Sequence, residues 1–305
     1  MLRLTFLGTS AAQPTLARGL SGIAVRREGE LLLFDCGEGS QRQMMRFGTG
    51  FAVDAVFFTH FHADHYLGLL GFLRTLSMQG REAPLHLYGP SPATRLLDQA
   101  IHLGIDRYSF ELPIHELRGG EVLERDGYAI HALPVDHGLP ALGYALVEAA
   151  RPGEFQLERA RALDVPEGPL FGQLQHGAEV QLPDGRRVAP AQVLGPPRQG
   201  RRLVVSGDTR PCDSVARAAA GADLLVHEGT FAESERARAL ETRHSTAREA
   251  ARLAKQAGVA RLVLTHFSSR YEDDLGAIAR EAREEHPGTQ LAHDGLTVEI
   301  PLPTT

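Results

Sequence analysis

The spacing of apolar residues changes period repeatedly along the chain. Leu2–Leu7 is a β-prone apolar run, Gly8–Gly22 reads as a long loop, Ile23–Arg26 and Glu30–Asp35 read as a hairpin, and Gly37–Gly39 breaks it. Val53–Thr59 is continuously apolar, as suits a strand buried on both faces, and Tyr66–Gln79 carries apolar residues at helical spacing. Leu85–Tyr88 and Tyr128–Val135 read as strands, with Ser91–Leu103 a helix opened by Ser-Pro. From Arg151 to Gln199 the periodicity lapses, and prolines at 152, 166, 169, 183, 190, 196 and 197 mark an inserted arm rather than a core segment. Strands then return at Arg202–Ser206, Asp223–His227 and Ala260–Thr265, alternating with helices at Ser245–Ala257 and Tyr271–Glu285. The first of these helices has a capping box, Thr246 with Glu249, and Gly258 just past its end.

Strands in both halves with helices between them predict a layered α/β fold, in which binding sites gather at strand ends. At 305 residues and 43% apolar composition the chain can bury a full core. Two cysteines, Cys36 and Cys212, exclude a disulfide framework and suit a reducing cytoplasm; Cys36 reads as a small buried hydrophobe. No stretch is long and apolar enough to span a membrane, and the first residues run straight into a strand rather than a signal peptide. The net charge of −6 excludes a broadly basic nucleic-acid binder. Lys255 is the only lysine, so arginine carries nearly all the positive charge.

The 14 histidines change the picture. In His60-Phe61-His62-Ala63-Asp64-His65, side chains two apart on an extended segment face one way, so His60 and His62 can grip one cation while the following turn presents Asp64 and His65 to a second. Later strands end in Asp136-His137-Gly138, Gly207-Asp208-Thr209 and His266-Phe267-Ser268-Ser269-Arg270. Imidazole with carboxylate suits zinc, and the same donors accept manganese or iron. Asp35, ending a strand, reads on its position alone as a turn former. His227 could be a ligand by its spacing, Ser268 and Arg270 sit just past a ligand where they could hold a substrate phosphate, and the histidines at 86, 102, 115, 131, 176, 286 and 293 read as structural or surface residues.

This ordered set resembles the metallo-β-lactamase superfamily over essentially the whole chain. More narrowly, Leu7-Gly8-Thr9-Ser10-Ala11-Ala12-Gln13-Pro14, Leu33-Phe34-Asp35-Cys36-Gly37-Glu38-Gly39, His227-Glu228-Gly229-Thr230-Phe231, His244-Ser245-Thr246-Ala247 and Thr265-His266-Phe267-Ser268-Ser269-Arg270-Tyr271 resemble the bacterial ribonuclease Z family. The resemblance implies an αββα sandwich made by residues 1–150 and 200–305, with 151–199 an inserted exosite arm that grips tRNA. It implies two zinc ions, one held by His60, His62 and His137, the other by Asp64, His65 and His266, with Asp208 bridging. It further implies Asp64 as proton acceptor for the attacking water, His244 as donor to the leaving oxygen, Glu228 steadying His244, Asp35 as a buried carboxylate that orients a histidine ligand, and, with both sites filled, His227 as a support rather than a ligand. The implied activity is endonucleolytic removal of the 3′ trailer from precursor tRNA after the discriminator nucleotide, leaving a tRNA 3′-hydroxyl and a trailer 5′-phosphate. The implied assembly is a cytoplasmic homodimer in which one subunit's arm serves the other's site, with neither DNA nor membrane as partner.

Within the arm, Val165-Pro166-Glu167-Gly168-Pro169-Leu170-Phe171-Gly172 resembles the family's Gly-Pro tip, which makes Gly168 and Pro169 candidate tRNA contacts together with Arg18. Residues 151–202 carry 8 arginines against 6 acids, mildly basic in an acidic chain, and backbone recognition of RNA needs local rather than total positive charge. Two positions depart from the family pattern: Gln175 stands where lysine is expected, and Gly19 follows Arg18 where asparagine is usual. A phosphodiesterase or thioesterase of the same fold would need no arm. An RNA-binding protein with a structural zinc would close its site with four ligands, whereas this set leaves room for water.

Overall fold

In strands such as Glu-Leu-Leu-Leu-Phe, every residue is apolar after the first, which is stable only if both faces of the strand are covered. The computed structural model, which describes residues 1–104 and 107–303, covers them. The chain divides into two compact units: Met1–Val147 with Arg202–Pro301, and Glu148–Arg201 with the C-terminal residues from Leu302.

Among the described residues, fourteen strands of the first unit form two seven-stranded sheets. In chain order they are β1 (Leu2–Gly8), β2 (Gly22–Arg27), β3 (Glu30–Phe34), β4 (Ala55–Phe57), β5 (His86–Pro90), β6 (Ile114–Leu117), β7 (Val122–Arg125), β8 (Tyr128–Pro134), β9 (Leu142–Glu148), β10 (Arg202–Val205), β11 (Leu224–Glu228), β12 (Leu262–Thr265), β13 (Gln290–Leu291) and β14 (Thr297–Ile300). One seven-stranded sheet runs β14-β1-β2-β3-β4-β5-β6, the other β13-β12-β11-β10-β9-β8-β7. Pairing is parallel from β3 to β6 and from β10 to β13.

Strand alternation assigns each apolar residue to a layer. Leu32 and Phe34 of β3 join Ala55 and Phe57 of β4 in the core between the sheets, where Val263 of β12 and Val226 of β11 meet them. Leu31, Leu33 and Val56 point the other way, against the helices Ser40–Phe47, Leu69–Met78 and Ala93–Ile101. Leu225, Leu262 and Leu264 face the helices Asp213–Ala218, Ala247–Gln256 and Gly276–Glu285 across the second sheet. The result is helix, sheet, sheet, helix. Tyr144 ties the two sheets: its ring lies 5.4 Å from Phe57, and its hydroxyl donates to the Phe58 carbonyl over 2.7 Å.

Several expected elements differ in extent. The Tyr66–Gln79 helix is two helices, Ala63–Tyr66 and Leu69–Met78, joined at Gly68, where an added Cβ would lie 2.0 Å from the Gly37 carbonyl oxygen. The loop Gly8–Gly22 contains Ser10–Ala11, which pairs in parallel with Phe267–Ser268. The Tyr271–Glu285 helix starts only at Gly276, whose amide is taken by Asp274. The Thr246–Glu249 capping box is present, with Thr246 Oγ1 accepting from the Glu249 amide and Glu249 Oε2 from the Thr246 amide.

The second unit has three short helices, Leu157–Ala162, Pro169–Gln175 and Pro190–Val193, and a hairpin of Val180–Gln181 with Arg187–Val188. Ala160, Val165, Leu174, Val180, Leu182, Val188 and Val193 close a core of its own. The sequence shows no sustained period for this small core, because turns every few residues break the periodicity that would announce it. Glu148 and Arg201, the first and last residues of this segment, form a buried double hydrogen bond, 2.7 Å in each arm.

Tyr144→Phe keeps the ring packing and strips the Phe58 carbonyl of a donor. It should lower unfolding free energy by about 1–3 kcal/mol in urea titration, with the m-value unchanged.

Candidate metal centre

Four strand ends of the first unit deliver the histidine and aspartate side chains. After β4 the chain leaves the core through Phe58 and Thr59, passes His60–His62, and turns Asp64 and His65 inward on the short helix Ala63–Tyr66. Segments following β8, β10 and β12 add His137, Asp208 and His266. His266 and Asp35 both hold left-handed backbone, φ +60 each, an uncommon state for residues with a side chain and one that clusters at functional sites.

Asp208 lies at the middle. Its Oδ2 is 3.3 Å from Nε2 of both His65 and His266, 3.7 Å from Nε2 of His60 and 3.9 Å from Nε2 of His137. His62 Nδ1 stands 3.0 Å from His60 Nε2 and 3.2 Å from His137 Nε2. Asp64 Oδ2 is 3.5 Å from His65 Nε2 and 3.4 Å from His266 Nε2. Within each of the groups His60, His62, His137 and Asp64, His65, His266, and around His60, His65, Asp208, the donor atoms lie within 4.8 Å of one another and could hold an ion.

The far side of each ring decides whether these nitrogens are bare. His137 Nδ1 donates to the Arg243 carbonyl over 3.0 Å, since a carbonyl only accepts. His65 Nδ1 donates to Asp35 over 2.8 Å. The Thr59 hydroxyl proton is committed to Asp35 at 2.9 Å, so His60 Nδ1, 3.0 Å from Thr59 Oγ1, must be the donor there. Thr230 Oγ1 likewise donates to Glu228 at 2.5 Å and accepts from His266 Nδ1 at 3.0 Å. In their neutral form four imidazoles therefore carry their proton outward and turn a lone pair to the centre, the tautomer metal ligation requires. The residues fit a divalent cation.

The surrounding charges act differently on each ring. Burial, with His65 alongside, holds His60 well below the ordinary imidazole value, and burial with His137 lowers His62. At His65 burial also opposes charge, but Asp208 and Asp35 outweigh it and raise the pKa well above the ordinary value. A cation among these nitrogens would be favoured by the same carboxylates.

Beside the cluster, Glu228 is buried on strand β11 and accepts from the Thr209 amide at 2.8 Å, the Ser245 amide at 3.1 Å and His244 Nδ1 at 2.8 Å. Burial works against a charged His244, yet the Glu228 carboxylate, with Asp208 behind it, pushes its pKa up to about 9. Arg210 braces this corner: one Nη1 donates to the His244 carbonyl at 2.6 Å and to Glu249 at 2.7 Å.

His62, Asp64, Asp208, His244 and His266 line one end of a cleft of about 760 Å³, whose outer walls include Gln13, Arg238, Ser268 and Arg270. Arg270 reaches the cleft but is already bound to Glu235 and to Ser268 Oγ. Arg238, which the sequence reading missed, has no ion-pair partner among the described residues. Arg18 does not line the cleft: its guanidinium bonds Thr9 Oγ1 at 2.7 Å and the Ala292 carbonyl at 2.9 Å, and stacks over Phe267. It is a strut of the Thr9–Gly19 loop rather than an offered cation. Gly168 and Pro169 are exposed in the second unit, where Gly168 precedes the helix Pro169–Gln175 with φ +132. Gln175 donates to the Gly153 carbonyl, and the Gly19 amide donates to Asp294. His227 is buried with Nδ1 donating to the Glu228 carbonyl and stands outside the groups that could hold an ion.

Burial raises the Glu249 pKa and the Arg210 bond overcomes it, leaving the carboxyl below its ordinary 4.5. A depressed carboxyl contributes stability that is complete above pH about 5 and fades as pH falls below the ordinary value. Glu249→Gln should therefore cost about 2 kcal/mol near neutral pH, and the difference from wild type should shrink towards pH 3 in paired urea titrations.

The Metallo-beta-lactamase superfamily model matches residues 20–180, and the Beta-lactamase superfamily domain model matches residues 173–267. The chain is 66% identical over 303 residues to Ribonuclease Z of Myxococcus xanthus, covering 99% of each chain, and 52% identical to Ribonuclease Z of Gemmatimonas aurantiaca, covering 99% of this chain and 96% of that one. The crystal structure of human tRNase Z, short form, superposes with a TM-score of 0.71 at 28% identity, over 98% of this chain and 99% of the other. The fold is also that of YhfI from Bacillus subtilis, TM-score 0.70 at 18% identity over 97% and 98%. With the two sheets, the convergent histidines and near end-to-end identity in agreement, the chain belongs to the ribonuclease Z family of the metallo-β-lactamase superfamily.

Proposed function

We propose that this chain is an endoribonuclease that cuts precursor tRNA after the discriminator nucleotide, releasing a tRNA with a 3′-hydroxyl and a trailer with a 5′-phosphate. The observation that carries the reading is the convergence of outward-protonated imidazoles on Asp208 beside a cleft that also holds the His244–Glu228 pair. His60, His62 and His137 would hold one zinc ion, Asp64, His65 and His266 a second, and Asp208 would stand between them; manganese is an alternative occupant. Once bound, the ions supply Lewis acidity at the phosphoryl oxygens and lower the pKa of the attacking water.

The chain's own groups divide the remaining work. Asp64 Oδ2 is fixed by the Ala12 amide at 2.8 Å and faces the cleft, where the carboxylate takes a proton from the attacking water. Water attacks phosphorus, the bond to the tRNA 3′ oxygen breaks, and that oxygen takes a proton. His244, whose charged form the Glu228 carboxylate favours, is the donor, and Glu228 holds the ring by Nδ1 so that Nε2 is free for the transfer. Arg238 and Arg270 lie where a phosphodiester backbone would enter the cleft. The second unit, with Gly168 and Pro169, serves as the tRNA-gripping arm of a cytoplasmic homodimer, each arm presenting tRNA to the partner's site; among the described residues no helix is long and apolar enough to cross a membrane. Arg18 leaves the set of RNA contacts, since its guanidinium is spent within the loop.

Purified protein incubated with a 3′-trailer precursor should yield the two stated ends, and a chelator should abolish cleavage. Uncut precursor with metal fully loaded would sink the reading. His244→Ala should lower kcat by about 10²–10⁴-fold with metal content unchanged by elemental analysis.

A further inference from the structure

The helix Arg236–Glu241 ends in a closure that its neighbours use. The His244 amide donates back to the Ala239 carbonyl over 2.8 Å, six residues closed onto one, and the residue between cap and closure takes left-handed backbone. That place is ordinarily held by glycine; here it is Arg243, at φ +59.

The Arg243 carbonyl and the His244 amide belong to one trans peptide, so they point in opposite directions. With the amide committed to Ala239, the carbonyl is aimed the other way, and it receives His137 Nδ1 at 3.0 Å. The same peptide therefore selects the tautomer of His137 and carries the backbone of His244, whose ring lies 4.9 Å from that of His137. The Arg243 side chain lies apart from this peptide, its Nη1 on Asp136 at 2.9 Å with both groups about half exposed.

We propose that Arg243 is a positioning residue, acting through its left-handed backbone: one peptide plane orients His137 for metal and holds His244 for proton delivery. The inference rests on His137 being a ligand and His244 the donor. It makes a contrast that a purely structural cap would not, because the side chain should be dispensable while the backbone state is not. Glycine adopts positive φ freely, whereas a β-branched residue resists it.

The test compares Arg243→Gly and Arg243→Val in the metal-loaded protein. Arg243→Gly should keep metal affinity, read by chelator competition, and kcat on a precursor tRNA within about threefold of wild type, while Arg243→Val should lose about 10–100-fold in both with KM little moved. A valine variant that melts lower yet keeps affinity and turnover overturns the proposal. So does a glycine variant as impaired as the valine one, which would place the role in the guanidinium and Asp136. A wild-type protein that retains no metal would instead defeat the underlying reading of the centre.

Discussion

An imidazole can turn a bare nitrogen inward only if its other nitrogen has somewhere to place a proton, and the centre of this protein needs that arrangement four times over. His65 uses Asp35, His60 uses Thr59, His266 uses Thr230, and His137 uses the Arg243 carbonyl. Two of these acceptors are hydroxyls, which serve only because their own protons are drawn off by Asp35 and Glu228. Buried carboxylates thus do double duty: they supply the negative field that a cation would answer, and they set the tautomers that would receive it. The sandwich exists to hold these acceptors still. Strands buried on both faces end at one edge, and the loops beyond them change direction at Asp35 and His266 through backbone states that only a well-packed scaffold maintains.

Much of this was legible in the amino-acid order. A run such as Leu31-Leu32-Leu33-Phe34 divides its side chains between two cores, and reading it as a doubly buried strand required only the alternation rule. The His60–His65 motif and the single residues His137, Asp208 and His266 are chemically distinctive at strand ends, and the structure brings them together. What could not be read were partners with no distinctive chemistry. Thr59 and Thr230 are ordinary hydroxyls beside motif residues, and the Arg243 contribution is a carbonyl, which every residue carries. The helix Arg236–Glu241 went unread because it is short and mostly polar, with only Ala239 buried.

Arginine shows the limit from the other side. Arg18 and Arg270 were singled out by position next to motif residues, yet Arg18 is consumed by Thr9, Ala292 and Phe267, and Arg270 is partly neutralised by Glu235. Arg238, in an unremarked segment, is the cleft arginine whose charge is uncompensated among the described residues. Charge in a sequence is a count; charge in a cleft is what remains after ion pairs are formed. The same distinction reconciles an acidic chain with a polyanionic substrate, since a net −6 is an average over the whole chain and not a property of the cleft.

The central claim is that seven side chains, centred on Asp208, form one site for two ions. Elemental analysis of wild-type protein and Asp208→Asn after exhaustive dialysis tests it most directly. Two equivalents per wild-type chain and loss of both in the variant are expected, because a single carboxylate oxygen faces both sets of nitrogens. Retention of both ions by Asp208→Asn, or a wild-type chain that holds only one, would contradict it.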